Sequence, residues 1–212
     1  MTVDLIAAAA TILAALFLLP QIVRLLVRRD ATGVSATWAG FGLVTNSAWV
    51  VYLWQQGMWA PLLAPAIALV TYGITLAVIA RLNRAQRWVW HSGLYIALLA
   101  ATGPVGGIGA LGLILALTPA IQVAPELLAV YRERHPSGVS PTSWGLAGVE
   151  AILWGVYGWM VSDTALVGYG LVTTIASALI LCRWVTTRPG WEVSKWRSEG
   201  GLTNALPQGV PR

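Results

Sequence analysis

The 212-residue chain is 57% hydrophobic and only 10% charged, with a net charge of +5 and a single cysteine. Soluble domains carry about a quarter charged residues, so a water-solvated globular domain is excluded. The lone Cys182 rules out an internal disulfide and a cysteine-based metal site. The basic excess does not imply nucleic acid, because the arginines gather at the ends of apolar runs, as they do in membrane proteins.

A spanning helix needs about 20 mostly apolar residues. Seven such runs follow one another, near 5–27, 37–56, 60–81, 88–103, 108–131, 141–160 and 164–185. The first opens on Asp4 instead of a basic segment, so it is predicted as a span and not a secretory signal. It carries Pro20-Gln21 and ends on Arg24, Arg28 and Arg29. The second holds Asn46, Trp49 and Tyr52, and the third ends at Arg81, with Arg84 and Arg87 beyond it. After the fourth, Gly103-Pro104-Val105-Gly106-Gly107 predicts a tight turn. The fifth contains Pro125-Glu126 and ends at Arg132 and Arg134; the sixth holds Glu150, Trp154 and Tyr157; the seventh ends at Arg183. A Gly-, Pro- and polar-rich tail over 187–212 is predicted to be disordered and cytoplasmic. The connections Gln55 to Trp59, Gly103 to Gly107 and Val161 to Asp163 carry no basic residue. By the positive-inside rule the N-terminus is outside and the C-terminus cytoplasmic, in the plasma (inner) membrane.

Sliding the chain by 105 positions superposes Pro20 on Pro125, Arg29 on Arg134, and Gly33-Val34-Ser35 on Gly138-Val139-Ser140. Gly40 then falls on Gly145, Trp49 on Trp154, Tyr52 on Tyr157 and Trp54 on Trp159. Shared Trp, Tyr, Gly and Pro at one register mark an internal repeat. The predicted fold is all-α and integral to the membrane: a three-helix unit over 1–82, a single linker helix over 83–107, and a second three-helix unit over 108–186. One inverting helix between them makes the two units parallel, an arrangement found among secondary transporters.

These residues resemble the PQ-loop superfamily, in particular SWEET and SemiSWEET sugar transporters. The resemblance rests on Pro20-Gln21, the Gly-Val-Ser loop, Trp49-x-x-Tyr52 and their second copies, and covers the chain to about Thr187. It implies transport by alternating access, with Trp49 and Trp154 in the pocket, and an outer gate at Tyr157 and Asp163, repeated at Tyr52. The chain departs from the pattern in three places. Pro65 and Gly170 stand where the resemblance implies a pocket asparagine, Glu126 stands for the second Gln, and Val161 stands for the basic gate partner.

The residues also speak for themselves. Proline inside a helix frees the carbonyl four residues earlier, so Pro20 and Pro125 predict kinks that free Leu16 and Ile121. These are either hinges of a binding site or static kinks re-satisfied by neighbours. Only Glu126 and Glu150 are acids at membrane depth, where ionisable groups mark function by default. Each unit sets a polar residue beside a deep tryptophan, Asn46 with Trp49 and Glu150 with Trp154, at helical spacing. Thr173 and Thr174, and Thr71 and Thr75 in the other unit, either offer hydroxyls to a solute or bond back to their own helix.

Retinal binding is excluded because the only lysine, Lys195, lies in the tail, and no nucleophile, metal-ligand or phosphate-loop pattern supports an enzyme. The expected function is an alternating-access facilitator of a small polar solute, a sugar above all. The alternatives are a proton-coupled amino-acid or metabolite transporter, with Glu126 or Glu150 taking up the proton, and a non-transporting receptor or scaffold. The expected partners are the lipid bilayer, the solute and further copies of the chain, with no nucleic acid, metal or cofactor.

Overall fold

The computed structural model describes residues 2–28, 36–82, 90–132 and 140–187. The Gly-Val-Ser segments up to 139 and the tail beyond 187 lie outside the described residues. Among the described residues there are six helical stretches: α1 Thr2–Arg28, α2 Ala36–Gln55, α3 Trp59–Leu82, α4 Trp90–Arg132, α5 Pro141–Met160 and α6 Thr164–Thr186, α4 comprising two helices that meet at a kink. Three are long and apolar enough to cross a membrane, over Trp59–Arg81, Gly106–Arg132 and Thr164–Thr186, which points to an integral membrane protein.

Local chemistry sets the ends. Ser140 caps α5 by accepting the Ser143 N–H at 3.3 Å, with Pro141 next to it where a missing N–H costs nothing. Asp163 caps α6 by accepting the Leu166 N–H at 2.8 Å. The α2–α3 and α5–α6 turns share one pattern 105 positions apart: Met58 N–H reaches Leu53 O, and Asp163 N–H reaches Gly158 O. The repeat is thus kept in backbone geometry as well as in sequence.

Where the sequence predicts a tight turn at Gly103–Gly107, the backbone stays helical and only Gly107 departs from it, at φ 65°, ψ −165°. That conformation is open essentially to glycine alone, so one residue does what a loop would do. The fourth and fifth predicted spans therefore join in the 43-residue α4.

Many small side chains are buried beside larger ones such as Leu53, Leu115 and Ile180. Ala7, Ala10, Ala39, Ala64, Ala68, Ala116, Ala151, Ala165 and Ala176 are buried, while Leu113, Leu117 and Ile121, or Leu171, Ile175 and Leu179, form exposed stripes at i, i+4 spacing. Small residues inside with large apolar ones outside is how helices pack when the surrounding solvent is hydrocarbon. α5 and α6 come close backbone to backbone, where a Cβ on Gly170 would stand 2.6 Å from Ala151 O and from the Gly155 backbone.

Helix contacts close a ring. α3 packs on α1 and α2, α6 packs on α4 and α5, and the two sets meet through α1 against α5 and α2 against α4. Exchanging α1, α2 and α3 for α4, α5 and α6 leaves this order unchanged, so the ring carries the twofold pattern of the repeat. Gly170→Ala is expected to overpack the α5–α6 contact and destabilise the fold by about 1–3 kcal/mol. A thermal-unfolding midpoint equal to wild type in detergent would contradict that close contact.

Candidate functional site

A cavity of about 740 Å³ lies inside the ring and is lined by side chains from all six helices. Its size falls within the roughly 300–1,000 Å³ typical of small-molecule sites. One end is sealed. The Tyr52 hydroxyl on α2 donates to Asp163 Oδ2 on the other unit at 2.7 Å, and both side chains are buried. Tyr52 reaches this partner across α4 at Gly112, against which its ring packs. Tyr157, the repeat of Tyr52, is also buried, and its ring stands edge-on to Trp154 at 5.9 Å. Among the described residues its hydroxyl makes no hydrogen bond to a carboxylate, although Asp4 and Asp163 lie near enough to act on it electrostatically; the position equivalent to Asp163 is Met58. Of the three predicted gate residues, Tyr52 and Asp163 bond and Tyr157 flanks them.

At the other end Gln122, Glu126 and Ser140 line the cavity and are exposed. Glu126 accepts the Trp144 indole N–H at 3.0 Å. Pro20, Gln21 and Pro125 lie within continuous stretches of α1 and α4; their side chains fall outside the described residues.

Midway, Trp49, Asn46, Trp154, Glu150 and Thr173 all line the cavity. Glu150 Oε1 accepts the Trp154 indole N–H at 2.6 Å, and its Oε2 accepts the Tyr169 hydroxyl at 3.3 Å. The Tyr169 ring in turn stands edge-on to Trp49 at 5.8 Å, so the two tryptophans are joined through Tyr169 and Glu150. Tyr72 completes the aromatic wall. Sequence reasoning misses both tyrosines; the available signal for Tyr169 is its position one helical turn before Thr173, on the same face.

At the 105-residue register the counterpart of Glu150 is Thr45, whose hydroxyl accepts Gln122 Nε2 at 3.4 Å. Asn46 lines the cavity with Trp49, and its amide donates to Gly42 O on its own helix at 2.7 Å. Thr174, next to Thr173, points away and is not part of the cavity wall. Thr75 donates to Thr71 O at 2.9 Å, so back-bonding within α3 takes that hydroxyl, and neither threonine lines the cavity. Gly170 holds no asparagine because the α5–α6 contact leaves no room for any side chain there.

The wall is one-sided. Glu150, Tyr169, Thr173 and Trp144 have as their first-unit counterparts Thr45, Ala64, Ala68 and Ala39. No model of a known protein family matches the chain, and no curated protein matches it significantly.

Tyr52→Phe removes a hydrogen bond to a buried carboxylate and is expected to cost about 1.5–3 kcal/mol. Tyr157→Phe removes no such bond and is expected to be close to neutral. Equal losses of thermal stability in the two variants would contradict a seal built on Tyr52 and Asp163 alone.

Proposed function

We propose that the chain is an integral membrane transporter that moves a small polar solute by alternating access. The observation that carries this is the cavity itself, ringed by two repeated three-helix units, tied shut across the units at one end and reachable at the other. A scaffold needs neither an unfilled interior nor a bond across its own line of symmetry.

In this account all seven apolar segments span, α4 contributing two of them on either side of Gly107. Helices α2 and α5 have 20 residues each, about 30 Å of helix, the thickness of the hydrocarbon core. Their lower hydropathy comes from the polar residues they turn to the cavity. The α2–α3 and α5–α6 turns share one end, as the bond from Tyr52 to Asp163 requires, and exposed Trp54, Trp59 and Trp159 gather there. Arg81, Arg132 and Arg183 lie in the last turns of α3, α4 and α6, at the opposite end. The arginines gathered at that end support a cytoplasmic basic face, toward which the cavity opens. The conformation is then inward-facing, with the outer side closed.

The two units would rock about the regions of Pro20 and Pro125, breaking the bond between Tyr52 and Asp163 as the outer side opens. This is the mode of transport implied by the resemblance to SWEET-type proteins of the PQ-loop superfamily. Trp49 and Trp154 offer ring faces, and Asn46, Glu150 and Thr173 offer polar contacts.

Counterflow in proteoliposomes, with labelled sugars, amino acids and amines as solutes, tests the proposal. Wild type is expected to exchange at least one class, and Trp49→Ala and Trp154→Ala are each expected to reduce that exchange more than tenfold while remaining folded. Failure of every class with folded protein would overturn transport, and wild-type rates in both variants would overturn the pocket.

A further inference from the structure

We infer that the solute is a small organic cation, an amine or quaternary ammonium compound, whose charged nitrogen rests against Glu150 among the rings of Trp49, Trp154 and Tyr169. This narrows the substrate class of the cavity and rests on its being a solute site. Charge is the first argument. The cavity wall includes two carboxyl groups, Glu126 and Glu150, and among the described residues no lysine, arginine or histidine. A charge removed from water is costly unless it is paired, and here the protein supplies no partner. A cationic solute supplies it; a neutral sugar leaves it unpaired, and an anion is repelled.

The second argument is the state in which Glu150 is held. Both of its oxygens accept hydrogen bonds, one from an indole N–H that can only donate and one from the Tyr169 hydroxyl. Two donors aimed at two oxygens orient the carboxyl group and favour its ionised form. Glu126, nearer the open end, is met by a second indole N–H, that of Trp144.

The third argument is the wall itself. Trp49, Tyr72, Trp144, Trp154 and Tyr169 line the same space. Aromatic faces attract ammonium groups, tryptophan most strongly, and aromatic cages are a recurring means of holding quaternary ammonium ligands. Exposed Glu126 followed inward by half-buried Glu150 gives a path of one charge sign, which draws cations toward the deeper site. The one-sidedness of the wall also fits a solute that carries its charge at one end.

The test is equilibrium binding to the full chain in detergent, read by quenching of tryptophan fluorescence. The probes are tetramethylammonium, choline, putrescine and arginine, with 3,3-dimethylbutan-1-ol as the uncharged isostere of choline and glucose as the neutral solute. At least one amine is expected to bind saturably, choline at least tenfold more tightly than its isostere if choline is that amine. Glu150→Gln, which keeps an oxygen for the Trp154 indole, is expected to weaken amine binding at least tenfold. Equal binding of choline and its isostere, preference for glucose, an unaltered amine affinity in Glu150→Gln, or no saturable binding by any of the four amines would overturn the inference. The isostere comparison uses wild-type protein and stands even if the variant does not fold. Amine binding without counterflow would sink transport and keep the cation site, whereas sugar counterflow without amine binding would do the reverse.

Discussion

Asp163 serves two helices at once. One carboxylate oxygen caps α6 through the Leu166 N–H, and the other receives the Tyr52 hydroxyl from the opposite unit. The group that starts a helix is therefore also the group that ties the two halves together at one end of the ring. Because the tie is buried and polar, it is strong while both partners are present and costly to leave half made. Everything about the cavity follows from its being at one end only: closed between the helix turns, exposed where Glu126, Gln122 and Ser140 reach the opposite face. A second, repeat-equivalent tie from Tyr157 would fall at this same end, because both helix turns lie there; Met58 at the position of Asp163 leaves a single one.

Inside the ring the same departure from symmetry continues. Gene-like duplication of a backbone supplies two similar walls, yet the second unit holds the carboxylates and most of the added aromatic groups, while the first has alanine at many of the equivalent places. The helix packing tolerates this because many of the contacts between helices are made by buried alanines and glycines. Glu150 then sits in a frame of two donors that orients it toward the space between Trp49 and Trp154, tuned by neighbours from both units.

Much of the architecture was legible in the sequence because its signals are local or periodic. Apolar runs located the helices, arginines marked one set of ends, and the 105-residue register of Pro, Trp and Tyr exposed the repeat. Spacing set Asn46 beside Trp49 and Glu150 beside Trp154 at membrane depth, since depth along a helix is arithmetic, and the resemblance to SWEET-type proteins pointed to the tryptophans and Thr173 as pocket groups. What could not be read depends on how helices lean on one another. Tyr169 and Tyr72 lie in apolar stretches where their facing is set by tertiary packing. The bar to a side chain at Gly170 comes from a neighbouring backbone, and Thr75 finds its partner on its own helix. The Gly103–Gly107 segment reads as a turn from its composition, and two helices do meet at a kink within it, but the change of direction falls on its last residue alone, a glycine at positive φ.

The central claim is that the bond between Tyr52 and Asp163 holds one end of the ring shut and yields when that end opens. The most direct measurement is a spin-label distance between cysteines placed at the exposed, repeat-equivalent positions Gln55 and Met160, with Cys182→Ser as background. With Tyr52 intact the account predicts one short-distance population, and with Tyr52→Phe a second, longer one. Identical distance distributions in the two proteins would contradict it.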